Sequence, residues 1–157
     1  MHLLFVCTGN TCRSPMAEAI ARHLVAQRGI PDLTVSSAGT SAWPGASASD
    51  GALLVALEHG VELGGHRARA LAPEIVGGAD LILTMGPHHL DRVEALGGAG
   101  RSWMLTAYTG HEARPVSDPF GGNLDVYRAT YEELEQEIGA ILDRVVADRA
   151  DRAGRQG

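Results

Sequence analysis

Met1 to Val6 is an almost wholly apolar run that passes directly into Cys7-Thr-Gly-Asn10, a turn signal, before Ser14-Pro15 opens a helical pattern. A short apolar run bounded by a turn reads as a parallel strand buried on both faces. Serine is a favoured helix N-cap and proline is tolerated in the first turn. Met16, Ala19, Ile20, His23 and Leu24 then keep helical spacing up to Gly29. Strand, tight loop and helix in succession commit the chain to a βα unit, whose parallel partner strands must follow crossover connections.

The alternation continues along the chain. Leu33–Ser37 has strand character, and the Gly-, Ser- and Ala-rich stretch from Ala38 to Gly51 reads as a loop. Ala52–His59 is an apolar-periodic helix closed by Gly60, and Asp80–Met85 is a second buried strand. Pro87–Leu96 reads as a helix and Ser102–Thr106 as the last strand. A long loop, Ala107–Leu124, holds Pro115, Asp118-Pro119 and Gly121-Gly122, and long loops in compact domains are often functional. Asp125 to Asp148 closes the chain as an amphipathic helix with Leu134, Ile138, Ile141, Leu142 and Val145 on one face. The expected fold is a single α/β domain over residues 1–148, a four-stranded parallel sheet with helices on both faces, followed by a flexible tail, 149–157. Ligands of such sheets bind at the carboxyl ends of the strands, where Cys7 falls.

Charge narrows the partners. Nineteen acidic residues against thirteen cations give a net charge of −6, which disfavours nucleic acid and anionic membranes. Every cation is arginine, so a lysine-based phosphate site of the Walker type is excluded. No run is long enough to span a membrane, and none resembles a signal peptide. Cys7 and Cys12 are the only cysteines, too few and too close together for a secreted disulfide framework, so the cytoplasm is the expected compartment; a monomer is expected as well.

Within the first loop, Cys7-Thr-Gly-Asn-Thr-Cys-Arg13 sets a thiol and a guanidinium between a strand and a helix N-terminus. Spacing alone is weak evidence, and a lone cysteine at a strand end is usually a small buried hydrophobe. Context is the stronger signal. Gly9 and Asn10 tolerate positive φ, and a loop so built can turn successive N–H groups toward one point, an anion nest. Such a nest and a nearby cation favour a thiolate. Arg13 can grip two phosphoryl oxygens in a planar fork that lysine lacks. Ser14 reads both as helix cap and as a hydroxyl donor one turn from the sulfur. Cys12 is either inert packing or the partner in a reversible disulfide that protects Cys7.

Val6-Cys-Thr-Gly-Asn-Thr-Cys-Arg-Ser-Pro15 resembles the signature of the low-molecular-weight protein tyrosine phosphatase family, and Asp118-Pro119-Phe120 resembles its general-acid loop. The likeness extends to Ser36-Ser-Ala-Gly-Thr40, Asp80-Leu-Ile-Leu-Thr-Met85 and the final helix. It implies no metal or other cofactor and a two-step reaction through phosphocysteine, with phosphorylated proteins as substrates and inorganic phosphate as product. Cys7 would be the nucleophile, Arg13 the phosphoryl clamp and Asp118 the acid and then the base. Thr8, Gly9, Asn10, Thr11, Cys12 and Ser14 would line or shape the phosphate loop. Ser37, with Asn10 and Ser14, matches the family's supporting polar network, and His66 matches a histidine beside it.

Thr11 bears on the substrate. Relatives acting on phosphotyrosine usually carry a bulkier aliphatic residue there, and a branched, polar threonine narrows the room for a flat ring. With Asp118-Pro-Phe-Gly-Gly122 and Asp125-Val-Tyr127, it resembles the protein-arginine phosphatase subgroup. The bland alternative is that Thr11 merely fits the turn. Phe120 and Trp43 are candidate apolar walls for the substrate stem. Phosphotyrosine is the alternative substrate. A thioredoxin-linked arsenate reductase would need relay cysteines downstream, and none follows Cys12. A non-catalytic binding module would be expected to lack Cys7, Arg13 or Asp118.

Overall fold

Period-two alternation along the first strand divides the core in two. In the computed structural model, which describes residues 1–156, β1 spans His2–Cys7. Leu3, Phe5 and Cys7 face one apolar cluster, and Leu4 and Val6 face the other. β2 (Thr34–Gly39), β3 (Leu81–Thr84) and β4 (Ser102–Met104) complete an all-parallel sheet in the order β2-β1-β3-β4. β1 is therefore central, with Cys7 in register with Gly39 and Val6 with Thr84. Its carboxyl end opens between two neighbours, as the sequence leads one to expect.

Helices cover both faces. α1 (Arg13–Arg28), α2 (Asp50–Glu58) and the long C-terminal helix pack Met16, Ile20, Val55, Tyr131, Leu134 and Ile138 onto the Leu3–Phe5 face. α3 (Pro73–Gly77) and α4 (Pro87–Val93) bring Val76 and Val93 to the other. Each fully buried aliphatic side chain is worth about 1.5–3 kcal/mol of transfer free energy. α1 ends where Gly29 takes φ 64° and the N–H of Ile30 reaches Val25 O at 3.0 Å.

Several expectations shift. α1 begins at Arg13 with Cys12 in the cap position, so Ser14 lies inside the first turn and caps nothing; its hydroxyl is turned to Cys7 instead. β4 stops at Met104, and α5 (Leu105–Tyr108) takes over, with Thr106 Oγ1 donating to Arg114 O at 2.9 Å across the start of the following loop. α4 passes at Val93 into a wider helical turn over Glu94–Gly98, which Gly97 breaks at φ 102° just past the expected end at Leu96. The last helix, α6, runs Leu124–Gln156, its start held by Asn123 Oδ1 accepting from Val126 N at 3.1 Å. Residues 149–156, expected to leave the helix as a flexible tail, continue it: Arg, Ala and Asp follow without a proline, and only Gly154 weakens the run. Residue 157 lies outside the described residues. Among the described residues no helix is long and apolar enough to cross a membrane.

Candidate active site

The loop from β1 to α1 is held from behind by its carbonyls. Cys7 O accepts from Thr40 N at 3.0 Å, Thr8 O from Ser41 N at 2.9 Å and Thr11 O from Ser49 N at 2.9 Å. Asn10 O accepts from His66 Nε2 at 2.7 Å, a contact that puts the ring proton on Nε2. Thr8, Gly9, Thr11 and Cys12 keep their amide N–H groups without a backbone partner among the described residues. The first amides of α1 lack intrahelical partners by geometry. The result is an anion nest at a helix N-terminus. Asn10 alone takes the positive φ, 55°, and Gly9 does not need it. Glycine is required at position 39 instead, where a Cβ would lie 2.5 Å from Thr8 O and 2.9 Å from Asn10 N.

Cys7, Thr8, Gly9, Thr11, Cys12, Arg13, Asp118 and Phe120 line a cavity of about 200 Å³ at this point. Asn10 is fully buried behind the loop and organises it. Its N–H donates to Cys7 Sγ at 3.3 Å, and its Nδ2 donates to Ser14 Oγ at 2.8 Å and Ser37 Oγ at 2.9 Å. Arg69 N donates to its Oδ1 at 3.0 Å, which fixes the amide orientation. Ser37 in turn donates to the Glu18 carboxylate at 2.8 Å, because a carboxylate only accepts. Ser37 can then receive only from Asn10. The second Asn10 proton occupies Ser14 Oγ, which leaves the Ser14 proton for Cys7 Sγ, 2.9 Å away. The Asn10 N–H and the Ser14 hydroxyl thus both donate to the sulfur, while Ser37 turns its own proton away to Glu18; two donors at the sulfur suit an anion there.

Arg13 is buried, 8% exposed, with Nη1 donating to Val116 O at 3.0 Å and Nη2 lying 3.5 Å from Asp118 Oδ2. Asp118 is 52% exposed and accepts from Phe120 N at 3.1 Å, the turn that aims its carboxylate at the cavity. Phe120 lines the cavity while 74% exposed, so its ring stands at the mouth. Trp43, the other expected wall, is 81% exposed and is not among the lining residues. Both thiols are free; Cys12 Sγ is buried beside Ser49 Oγ at 3.2 Å and Tyr127 Oη at 3.5 Å. A recessed sulfur, a ring of amides, a planar cation and a half-exposed carboxylate together suit a tetrahedral oxyanion with a leaving group that needs a proton.

Four contributors escape the sequence reading: Glu18, Arg69, Val116 and His89. Glu18 lies on α1 one turn beyond Ser14, and its periodicity marks an ordinary polar face. Val116 acts through its carbonyl and Arg69 through its own N–H, with Arg69 Nε also donating to Ser37 O at 2.8 Å, contacts that no motif records. His89 follows the carboxyl end of β3, the one available clue, and its Nε2 sits 2.8 Å from Thr8 Oγ1.

A family model described as low molecular weight phosphotyrosine protein phosphatase matches residues 2–151, and the chain belongs to that family. It is accordingly a protein phosphatase of the cysteine-dependent class. It is 36% identical over 151 residues to the protein-arginine-phosphatase of Bacillus subtilis, covering 95% of this chain and 99% of that protein. It is 39% identical over 142 residues to the low molecular weight protein-tyrosine-phosphatase PtpB of Staphylococcus haemolyticus, covering 90% and 97%. Among solved structures, the YwlE arginine phosphatase mutant with a phosphorylated active-site serine superposes with TM-score 0.90 at 34% identity, over 96% of this chain and 99% of that one.

Proposed function

We propose that this phosphatase acts on phosphoarginine in proteins, with Cys7, Arg13 and Asp118 as its chemical residues. The observation that carries the substrate reading is Thr11, a small, branched, polar side chain on the cavity wall. Similarity to the B. subtilis protein-arginine-phosphatase supports it.

Cys7 Sγ attacks phosphorus in line with the P–N bond as Arg13 turns from Asp118 to hold two equatorial oxygens, and Asp118, its ion pair broken, takes up a proton from solvent. The nitrogen departs with the bonding pair and takes a proton from Asp118. The arginine product leaves a phosphocysteine, a covalent route supported by the phosphorylated active-site serine of the solved arginine phosphatase mutant. Water then gives a proton to Asp118 and attacks phosphorus, the S–P bond breaks toward sulfur, and inorganic phosphate is released. Asn10, Ser14 and Ser37 stabilise the sulfur anion in both steps, and His66 holds the loop through Asn10 O. The reading carries with it a cytoplasmic monomer whose catalytic domain spans residues 1–148, and two free thiols suit a reducing compartment.

The deciding comparison is kcat/KM for phosphoarginine and phosphotyrosine peptides, in wild type and Thr11→Ile. Wild type prefers phosphoarginine, and the added bulk shifts the ratio toward tyrosine by about 10- to 100-fold. A wild-type preference for tyrosine that the substitution leaves unchanged overturns the reading. Phosphotyrosine is the second reading, favoured by the 39% identity to the staphylococcal tyrosine phosphatase.

Asp118→Ala separates acid catalysis from binding. It slows substrates with poor leaving groups by about 10²–10⁴-fold and barely affects a nitrophenyl ester, whose leaving group needs no proton. Equal slowing of both removes the acid role.

A further inference from the structure

We infer that His89 is a positioning residue that holds the Thr8 hydroxyl as a hydrogen-bond donor into the phosphoryl cavity. The inference rests on the reading of this cavity as the phosphoryl site and adds to it a donor that is neither a loop amide nor Arg13.

His89 is fully buried in the first turn of α4, and only Nε2 of its two ring nitrogens has a partner, Thr8 Oγ1 at 2.8 Å. Nδ1 is buried with none among the described residues. Burial, with the nearby His88 and Arg13 charges, pushes the ring down to about 4, so near neutral pH it is uncharged and carries one proton. That proton has two possible homes. On Nδ1 it would be a buried N–H with nothing to accept it, while Nε2 took the Thr8 hydrogen. On Nε2 it is used, and Nδ1 is left as a bare lone pair, the less costly of the two omissions. The ring is therefore the Nε2–H tautomer and donates to Thr8.

The consequence falls on Thr8. Its oxygen accepts from His89, so its own hydrogen must go elsewhere, and Thr8 Oγ1 has no other hydrogen-bond partner among the described residues. Thr8 lines the cavity, where the available acceptor is a phosphoryl oxygen of the substrate or of the phosphate product. Were the tautomer reversed, the same hydroxyl would be spent on the ring and offer only lone pairs to an anion. A neutral histidine thus decides whether this wall of the cavity attracts or repels the ligand.

The test has two arms. Nitrogen-15 NMR of the histidine rings in wild type at neutral pH reads the tautomer directly: a protonated Nε2 and bare Nδ1 on His89 are expected, and a protonated Nδ1 overturns the inference. The second arm measures inorganic phosphate affinity and kcat/KM on an aryl phosphate. Thr8→Val, which exchanges the hydroxyl for a methyl of similar size, weakens both by about tenfold. His89→Phe has the same effect, the double variant is no worse than either single one, and His89→Gln, whose Nε2 still donates, recovers most of the loss. Additive losses, or equal losses in His89→Gln and His89→Phe, mark a merely structural residue and overturn it. Phosphate affinity and tautomer read without turnover, so a wild type that prefers phosphotyrosine would sink the substrate reading alone.

Discussion

Cys7→Ser lowers turnover of any phosphorylated substrate by a factor on the order of 10⁵ or more, while inorganic phosphate still binds. The two outcomes separate because the amides of the loop and the Arg13 fork remain in place, and only the nucleophile is lost. Serine keeps the contact to Ser14, so the network behind the loop has no reason to collapse. Acid quench of wild type during turnover, followed by intact mass measurement, should find one added phosphoryl group, and the serine variant should show none turning over. Full activity in Cys7→Ser would exclude Cys7 as the required nucleophile.

Arg13→Ala is expected to cost about 10³–10⁵ in kcat/KM, the range for removing an arginine that stabilises a transferring phosphoryl group. Arg13→Lys should recover little of it. A lysine ammonium brings the charge but not the planar fork, and one point contact cannot both hold Val116 O and span two equatorial oxygens. The ion pair with Asp118 is lost in the alanine variant, and a half-exposed carboxylate tolerates that easily, so the thermal midpoint should move little beside the kinetic change. The comparison to make is kcat/KM against melting temperature across the three proteins. A near-active Arg13→Lys would show that charge, not geometry, is what the site requires.

The elements that could be read in advance are those whose cause is local. β1 and the loop after it announce themselves, because a buried strand, a turn residue able to take positive φ and the start of a helix are properties of neighbours in sequence. The long helix is equally plain on its apolar face from Leu134 to Val145, though its end is not, since the residues after Asp148 continue by propensity alone. α3 and α5 span five and four residues, too few for a period to show. The site divides the same way. Cys7, Arg13 and Asp118 stand in motifs with turn chemistry around them, whereas the pairing of Thr8 with His89 spans 81 positions and that of Asn10 with Arg69 spans 59. Ser14 shows how a local rule loses: its residue type favours the cap, but the loop's curvature gives the cap position to Cys12 and turns the hydroxyl toward the sulfur.

The contact between Arg13 and Asp118 at the cavity has a bearing on timing in the proposed reaction. In the proposed reaction an arriving dianion competes for the guanidinium and in doing so releases Asp118, which takes up a proton before it can serve the departing atom. On that reading the charge of the incoming molecule sets the order of events, since only an anion able to displace the carboxylate opens the pair.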